Sequence, residues 1–310
     1  MAQVNFPPPY KLLKKPLTTM TLSSGITAEH SSLFDTQGFF VLESVIPKDH
    51  LELLRHLSDQ AVGARTHGST VGTAEGAQLM GTASGRVFIF GLETEQPSMY
   101  RALLSDWAFK IIGSLTPNAT LFHTEFVVKA QDQGDEGTRF GWHQDGGYNT
   151  EPSAGGAIVP DMPHISLWCA LDDMSVDNGA LRVIPFDRNP IDHPIAYTAA
   201  PRPGVARQPI YRHQRVTPEK QNINNHVGDV SAYFGQDLGD AMEINAGSVV
   251  VFSALTLHGS GINATEKPRR ALNIAYSQSI ISHSAHQSTV KPHTYVDFIV
   301  DGKLTENAAA

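Results

Sequence analysis

Residues 121–129 read Leu-Phe-His-Thr-Glu-Phe-Val-Val-Lys, a run rich in aromatic and β-branched side chains. Such residues favour extended strands, in which successive side chains take opposite faces of a sheet. Four later runs have the same character, at residues 164–171, 181–184, 248–252 and 272–277. Gly, Pro, Asn and Asp bound these runs, as turn residues do. The second half of the chain therefore predicts a β-barrel or a β-sandwich.

A short strand and two helices are predicted ahead of these runs. Residues 38–42, Gly-Phe-Phe-Val-Leu, have strand character. After Pro47, apolar residues recur near helical spacing, at Leu51, Leu54, Leu57 and Val62. Residues 99–115 predict a second amphipathic helix. The expected fold class is therefore mainly β with flanking helices.

The first 30 residues differ from the rest of the chain. They contain Pro7-Pro8-Pro9 and then a Thr/Ser-rich stretch with little hydrophobic periodicity. This composition is typical of extended chain rather than of a packed domain. We therefore expect residues 1–30 to form an extended N-terminal arm and residues 31–310 to form a single domain.

The composition excludes several classes of partner. Hydrophobic residues make up 41% of the 310 residues and charged residues 17%, which is typical of a compact globular protein. The net charge of −8 and the lack of a Lys/Arg-rich run argue against binding to nucleic acid. No run reaches the ~18 apolar residues of a membrane helix. The only cysteine, Cys169, excludes an intramolecular disulfide and indicates a reducing compartment, so we expect a cytoplasmic protein.

Residues 187–240 form a long passage that is rich in Pro, Asn and Gln and has no clear periodicity. This length is unusual for a simple connection between strands. Predicted strands of the barrel flank the passage, so both of its ends are held near the mouth of the barrel. We expect the passage to form a lid over a substrate-binding site at that mouth. The alternatives are an inert surface excursion and an oligomer contact, the latter in a homodimer.

Three residues have the pattern of a metal site. His143 and Asp145 form a His-x-Asp pair, and residues two apart on a strand project to the same side. His258 can supply a third ligand from a distant strand. Two imidazoles and one carboxylate leave coordination positions open, which is the arrangement of non-haem Fe(II) oxygenases.

An arginine follows the last of these histidines by eleven positions. Alternation along residues 269–276 puts Arg269 on a small, polar face with Ala271, Asn273 and Ala275. The other face is more apolar, and there Arg270 is expected to reach solvent or a surface acid. A guanidinium on the polar face suits bidentate binding of a carboxylate, so Arg269 is the predicted anion anchor.

The motifs together resemble the phytanoyl-CoA dioxygenase family of Fe(II)/2-oxoglutarate oxygenases. In order along the chain they are Gly-Trp-His-Gln-Asp at 141–145, Ser-Leu-Trp-Cys-Ala-Leu-Asp-Asp at 166–173, Asp-Asn-Gly-Ala-Leu at 177–181, His-Gly-Ser-Gly-Ile-Asn at 258–263, and Arg269. The likeness extends over residues 34–185 and 243–280. Residues 1–30 and 187–240 lie outside it.

The resemblance implies a double-stranded β-helix, the jelly-roll or cupin-like core. It implies Fe(II) on His143, Asp145 and His258, and the distal carboxylate of 2-oxoglutarate on Arg269. Candidate further contacts to 2-oxoglutarate are Ser260, Trp168 and His123, the last standing where relatives often have Gln. Lys129, at the end of its predicted strand, is expected to be solvated.

The implied reaction uses Fe(II), 2-oxoglutarate and O2 to oxidise a C–H bond of a small-molecule metabolite or natural-product scaffold, most often by hydroxylation. Succinate and CO2 are released. Two alternatives stay open from the residues: a non-catalytic β-barrel that binds a small ligand, and a zinc-dependent hydrolase or isomerase on the same barrel. The second leaves Arg269 without a role.

Overall fold

The computed structural model describes residues 20–21, 26–66, 78–81, 85–134, 136–145, 164–190, 194–197, 206–279 and 295–305. Its α-helices are α1 (Ala28–Gln37), α2 (Lys48–Thr66), α3 (Tyr100–Leu103) and α4 (Asp106–Leu115). Its strands are β1 (Met20–Thr21), β2 (Phe39–Glu43), β3 (Gln78–Gly81), β4 (Arg86–Phe90), β5 (Ala119–Lys129), β6 (Phe140–His143), β7 (His164–Ala170), β8 (Leu181–Ile184), β9 (Pro194–Tyr197), β10 (Pro209–Tyr211), β11 (Gln214–Arg215), β12 (Val230–Ser231), β13 (Asp240–Ala241), β14 (Val249–Ser253), β15 (Leu257–Ser260), β16 (Arg269–Ser277), β17 (Val296–Val300) and β18 (Lys303–Leu304).

Two helix boundaries differ from the sequence prediction because polar side chains cap helix starts. The hydroxyl of Thr27 accepts from the His30 backbone N–H, so α1 already begins within the predicted arm. Ser105 caps α4 in the same way, accepting from the Ala108 N–H. This cap divides the helix predicted over residues 99–115 into α3 and α4. Residues 1–19 and 22–25 of the predicted arm lie outside the described residues. No helix of the described chain is long and apolar enough to cross a membrane.

Ten strands of the described chain form one large sheet. Its order is β1-β2-β14-β7-β16-β5-β17-β18, and β4 joins it by pairing with β5 on one side and β3 on the other. Strand β5 is long enough for two neighbours on one edge, since β4 pairs with residues 125–129 and β17 with residues 119–121. All of these pairs are antiparallel except β1 with β2.

A second antiparallel sheet, in the order β13-β8-β15-β6, faces the large sheet. An apolar cluster fills the space between them, with Trp168, Ala271 and Phe252 from the large sheet and Leu181 and Val183 from the second. Two facing antiparallel sheets of this kind make a double-stranded β-helix, so the predicted fold class is confirmed.

The outer face of the large sheet packs against the helices. Leu272 and Ile274 of β16 join a cluster with side chains of α1, α2 and α4, such as Phe34, Leu54 and Ile111. Helical cover on one face and a second sheet on the other explain why β7 is buried along its whole length.

The described part of the predicted lid segment packs on the outer face of the second sheet. Tyr211 and Tyr233 contact Trp142, which points away from the large sheet. Contact is close enough that a Cβ on Gly141 would lie 2.7 Å from the Val230 carbonyl oxygen, so glycine is required there. A lid role for residues 187–240 stays a prediction, and residues 191–193 and 198–205 lie outside the described residues.

Candidate metal centre

Three predicted ligands converge at one end of the second sheet. His258 of β15 lies opposite His143 of β6 in antiparallel register, and their ring centroids are 4.0 Å apart. Asp145 follows β6 by two residues and turns back toward the pair, with its Oδ1 atom 3.6 Å from His143 Nε2 and 3.5 Å from His258 Nε2. The three ligand atoms lie within 4.8 Å of one another. This spacing fits a single metal ion between them.

Backbone contacts fix how each imidazole is presented. The Nδ1 atom of His143 lies 2.9 Å from the Gly141 carbonyl oxygen, and that of His258 lies 2.9 Å from the Thr256 carbonyl oxygen. Because a carbonyl only accepts, Nδ1 carries a proton in each ring and Nε2 is the atom that faces Asp145. Burial lowers the pKa of His258, but Asp145 outweighs it and the net shift is upward. Burial and the neighbouring His258 hold the pKa of His143 well below its usual value, which favours the neutral form that binds metals.

The carboxylate of Asp145 is oriented from its other side. The Ser166 hydroxyl donates to Oδ2 at 3.2 Å, and His164 Nε2 lies 3.9 Å from the same atom. Burial raises the pKa of Asp145, but His258 and the hydrogen bonds to the carboxylate outweigh it and hold the pKa well below the usual value. The carboxylate is therefore ionised, with Oδ1 directed toward both imidazoles.

The residue between the first two ligands anchors the turn. Gln144 is fully buried, and its side-chain amide donates to the carbonyl oxygens of Pro209 and Leu255. Its Oε1 atom accepts from the Tyr211 N–H, and its own backbone N–H donates to His213 Nε2. No local pattern in the sequence indicates this role, because it depends on contacts with a distant segment that has no periodicity.

The predicted anion anchor is buried and incompletely paired. Arg269 is 1% exposed, with Nη2 donating to the Gly179 carbonyl oxygen at 3.1 Å. Its Nε and Nη1 atoms have no hydrogen-bond partner among the described residues, and neither has Nε1 of Trp168, whose ring centroid lies 5.6 Å from Cζ of Arg269. Burial lowers the pKa of Arg269 to about 10. A guanidinium in this setting fits a carboxylate ligand such as one end of 2-oxoglutarate.

The neighbouring Arg270 points the other way. It donates to both oxygens of Asp172 and of Asp59 on the helical side of the sheet. The alternation predicted for β16 therefore holds, with one arginine facing each side.

The structure overturns the expectation that Lys129 is solvated. Its side chain is 1% exposed, and Nζ donates to the Ser260 hydroxyl at 2.7 Å and to the Gly261 carbonyl oxygen. Register explains the burial, since Lys129 lies opposite Arg269 on the inward face of the sheet. Its position six residues after His123, and hence on the same strand face, was the available signal.

His123 lies nearer the metal site than Arg269 does. His123 of β5 lies opposite Ala275 of β16, and Ala275 lies opposite Ser166 of β7. Its Nε2 atom is 3.8 Å from Glu125 Oε2. Six residues of strand, about 20 Å, separate it from the position opposite Arg269. Burial lowers the pKa of His123, but Glu125 outweighs it and the net shift is upward. A contact from His123 to 2-oxoglutarate stays a prediction.

Comparison with known proteins identifies the family. A model of the family described as phytanoyl-CoA dioxygenase (PhyH) matches residues 34–271. The chain belongs to the phytanoyl-CoA dioxygenase family. The match continues through residues 187–240, which the motifs alone left outside the resemblance.

Two curated members of the phytanoyl-CoA dioxygenase family are similar along most of the chain. They are the peroxisomal phytanoyl-CoA dioxygenases of Rattus norvegicus and Homo sapiens, each 21% identical over 259 residues. The alignments cover 82% of this chain and 69% of each relative.

Solved structures share the fold at lower identity. EvdO2 from Micromonospora carbonacea var. aurantiaca, in complex with 2-oxoglutarate, has a TM-score of 0.53 at 20% identity over 81% of this chain and 90% of its own. The α-ketoglutarate-dependent epimerase SnoN from nogalamycin biosynthesis has a TM-score of 0.52 at 16% identity, over 80% and 82%. EctD from S. alaskensis has a TM-score of 0.51 at 18% identity, over 85% and 80%.

Membership of the phytanoyl-CoA dioxygenase family makes the protein a non-haem iron, 2-oxoglutarate-dependent oxygenase, with Fe(II), 2-oxoglutarate and O2 as cofactor and co-substrates. It decides against the non-catalytic barrel and the zinc hydrolase or isomerase.

Proposed function

We propose that this oxygenase hydroxylates a C–H bond of a small-molecule metabolite or natural-product scaffold and releases succinate and CO2. The observation that carries the proposal is the presence of two features between the same two sheets. One is the group of three candidate ligand atoms within 4.8 Å, and the other is the buried, incompletely paired guanidinium of Arg269. Together they suit a metal ion and a carboxylate co-substrate.

In this proposal His143, Asp145 and His258 hold the iron. Bound iron supplies the redox chemistry that couples oxidation of 2-oxoglutarate by O2 to oxidation of the substrate. The protein's part is to direct Nε2 of both imidazoles toward the metal through the carbonyls of Gly141 and Thr256, and to fix the Asp145 carboxylate through Ser166.

The same proposal gives Arg269 the distal carboxylate of 2-oxoglutarate, with Ser260 as a second donor and Trp168 as a wall of the pocket. His123 is proposed as a further contact to the co-substrate. Apolar side chains around Trp168 exclude water, which strengthens the ion pair with Arg269.

The substrate class rests on the charge of the chain. Its net charge is −8 and it has no basic cluster in the sequence, which weighs against a highly anionic CoA thioester. The relatives named above act, by their names, on phytanoyl-CoA and in the biosynthesis of nogalamycin. A small metabolite or natural-product scaffold fits this chain better than a CoA ester.

We propose that residues 31–310 act as one domain after the 1–30 arm, in the cytoplasm. Residues 187–240 are proposed to form a lid over the substrate or, as the alternative, the contact of a homodimer.

The test is iron-dependent turnover of 2-oxoglutarate. The protein is loaded with Fe(II) and incubated with 2-oxoglutarate in air, and succinate and O2 uptake are measured together with iron per chain. We expect wild type and the exposed-site control His56→Ala to bind about one iron and to form succinate, and His258→Ala to do neither. Full iron and normal turnover in His258→Ala would remove the ligand assignment. Incorporation of one atom of 18O2 into a product from a metabolite library then tests hydroxylation.

A further inference from the structure

Two buried cations lie opposite each other at the end of β5 and the start of β16, away from the metal site. Lys129 of β5 and Arg269 of β16 are directly opposite in antiparallel register, and each is 1% exposed. Cα atoms of such pairs lie about 5 Å apart, so both side chains leave the same point of the sheet.

Little negative charge balances this pair. Within the described chain, no carboxylate oxygen lies within 4.0 Å of the Lys129 ammonium or the Arg269 guanidinium. Two further cations, Arg86 and Arg139, act on Lys129, and the acid Asp229 is bound to Arg86. The acid that acts on Arg269, Asp172, is bound to Arg270. Buried charge without a partner is costly, and natural structures rarely keep it unless a ligand uses it.

The contacts of Lys129 determine which way the Ser260 hydroxyl points. A protonated lysine has three donors and no acceptor, so the Ser260 oxygen must accept from Nζ. The single hydroxyl proton of Ser260 is then free to donate to something else. It cannot donate to Arg269, since a guanidinium does not accept.

Ser260 and Arg269 meet at the same turn. Arg269 Nη2 donates to the Gly179 carbonyl oxygen, and Lys129 Nζ donates to the Gly261 carbonyl oxygen. These two glycines are in contact, since a Cβ on Gly179 would lie 2.7 Å from the Gly261 oxygen. The Arg269 guanidinium, the Lys129 ammonium and the Ser260 hydroxyl therefore lie around the contact between Gly179 and Gly261.

We infer that Lys129 is a positioning residue for the co-substrate, which fixes Ser260 as a hydrogen-bond donor and adds a second positive charge beside Arg269. The inference rests on the proposed binding of the distal carboxylate of 2-oxoglutarate at Arg269. It assigns this end of the space between the sheets to a dianionic co-substrate. One carboxylate of 2-oxoglutarate goes to the metal, and the other meets Lys129 and Arg269. The competing role is structural, with Lys129 serving only to join β5 to the end of β15.

The two roles predict opposite effects of Lys129→Met, which keeps the length of the side chain and removes its charge. Binding of 2-oxoglutarate is measured by calorimetry on the Fe(II)-loaded protein without O2, and thermal unfolding is measured without 2-oxoglutarate. We expect the Kd for 2-oxoglutarate to rise roughly tenfold to a hundredfold. The melting temperature should stay the same or rise, because a buried cation beside another cation is removed.

Two further variants test the link to Ser260. Lys129→Arg keeps the charge and should restore most of the affinity. Ser260→Ala should weaken binding in the wild-type background but add little to Lys129→Met, because the hydroxyl is no longer held as a donor. Full additivity of the two substitutions would contradict the positioning role.

Matched controls separate charge at this site from charge elsewhere. Lys303→Met removes an exposed lysine of β18 and should change neither quantity. Arg270→Met removes the cation next in sequence, on the other face of β16, and should lower the melting temperature without changing the Kd.

The measurements distinguish failure of the inference about Lys129 from failure of the proposed function. If Arg269→Ala leaves the Kd unchanged, the proposed function is wrong at this site. If Arg269→Ala weakens binding but Lys129→Met lowers only the melting temperature, Lys129 is structural and the inference is wrong. Should Lys129→Met not fold, Lys129→Gln takes its place, and failure of both to fold also shows a structural lysine.

Discussion

The two ends of the space between the sheets, the metal end at His143, Asp145 and His258 and the far end at Lys129 and Arg269, differ in how their polar groups are satisfied. At the metal end, His143 and His258 donate through Nδ1 to backbone carbonyls, and Asp145 accepts from Ser166. At the far end, Arg269 has two nitrogens without a partner in the described chain. The metal end is thus ordered by protein contacts, whereas the far end keeps hydrogen-bond donors without a partner in the described chain, to which we assign an anion in the proposed function.

This difference separates what each end contributes. Protein contacts at the metal end hold the ligands in place before any ion arrives, so substitutions there change affinity for iron. The far end carries the buried cations Lys129 and Arg269, and buried charge without a partner costs stability, which an anion bound there would offset. Substitutions there should lower the affinity for 2-oxoglutarate and raise the free energy of unfolding, as is often found at functional sites.

The largest effect is expected from removing a candidate ligand at the metal end. Asp145→Ala deletes the only carboxylate of the three-ligand set, so iron should fall from about one per chain to near zero. Succinate formation should fall to background. Metal analysis after gel filtration checks the first and a coupled assay the second. Normal iron content would show that the two ends were assigned wrongly.

The next effect concerns the adjacent arginines of β16. Arg269→Ala should raise the KM for 2-oxoglutarate about tenfold or more with a smaller change in kcat, because its ion pair forms before the chemistry and persists through it. Arg270→Ala should leave KM unchanged and lower the free energy of unfolding by about 1 to 3 kcal/mol, through lost bonds to Asp172 and Asp59. Steady-state kinetics and urea unfolding measure both, and a larger KM effect at Arg270 would reverse the two faces.

A smaller effect is expected from the hydroxyl that orients the carboxylate. Ser166→Ala should weaken iron binding about tenfold, since supporting contacts of metal ligands have effects of this size. Ser248→Ala is the matched control: Ser248 is equally buried, but its hydroxyl accepts from the Ser44 N–H. Competition with a chelator compares the two, and equal affinities would show that Ser166 does not position Asp145.

The smallest effect is a pH dependence at the far end. Burial, with Arg269 and Arg86 nearby, holds the pKa of Lys129 well below its usual value. Arg139 adds to this shift and Asp229 opposes it. The unfolded chain therefore binds this proton more tightly, so without 2-oxoglutarate the free energy of unfolding rises with pH between the lowered pKa and ~10.4.

We expect up to about 1.4 kcal/mol for each pH unit between the two pKa values. Urea unfolding of wild type and Lys129→Met across this range isolates the contribution. Two curves that stay parallel would show that Lys129 does not titrate differently in the folded protein.

Sequence alone predicted the inward position of Arg269 and the outward position of Arg270, because alternation along a strand is a local property. It predicted the double-stranded β-helix only through the resemblance to the family, since pairing between strands far apart in the chain leaves no local signal. The split between α3 and α4 was missed because a single capping residue, Ser105, overrides apolar periodicity.

The burial of Lys129 was missed although its strand carried one signal, the even spacing from His123. A lysine at a strand end is usually solvated, and here its position is set by pairing with Arg269, 140 residues later, and with Arg86. The packing of residues 206–240 on the back of the second sheet was missed for a similar reason. That segment is held by individual contacts to Trp142 and Gln144 rather than by a repeating pattern.

Gln144 connects residues 206–240 to the metal centre through hydrogen bonds. It lies between two candidate iron ligands, and its side chain is held by the backbone of Pro209 and Tyr211. A small displacement of that backbone would rotate the turn that carries Asp145. The optical spectrum of bound iron is sensitive to ligand angles. It would therefore change with substitutions that move this distant segment, although they lie outside the ligand set.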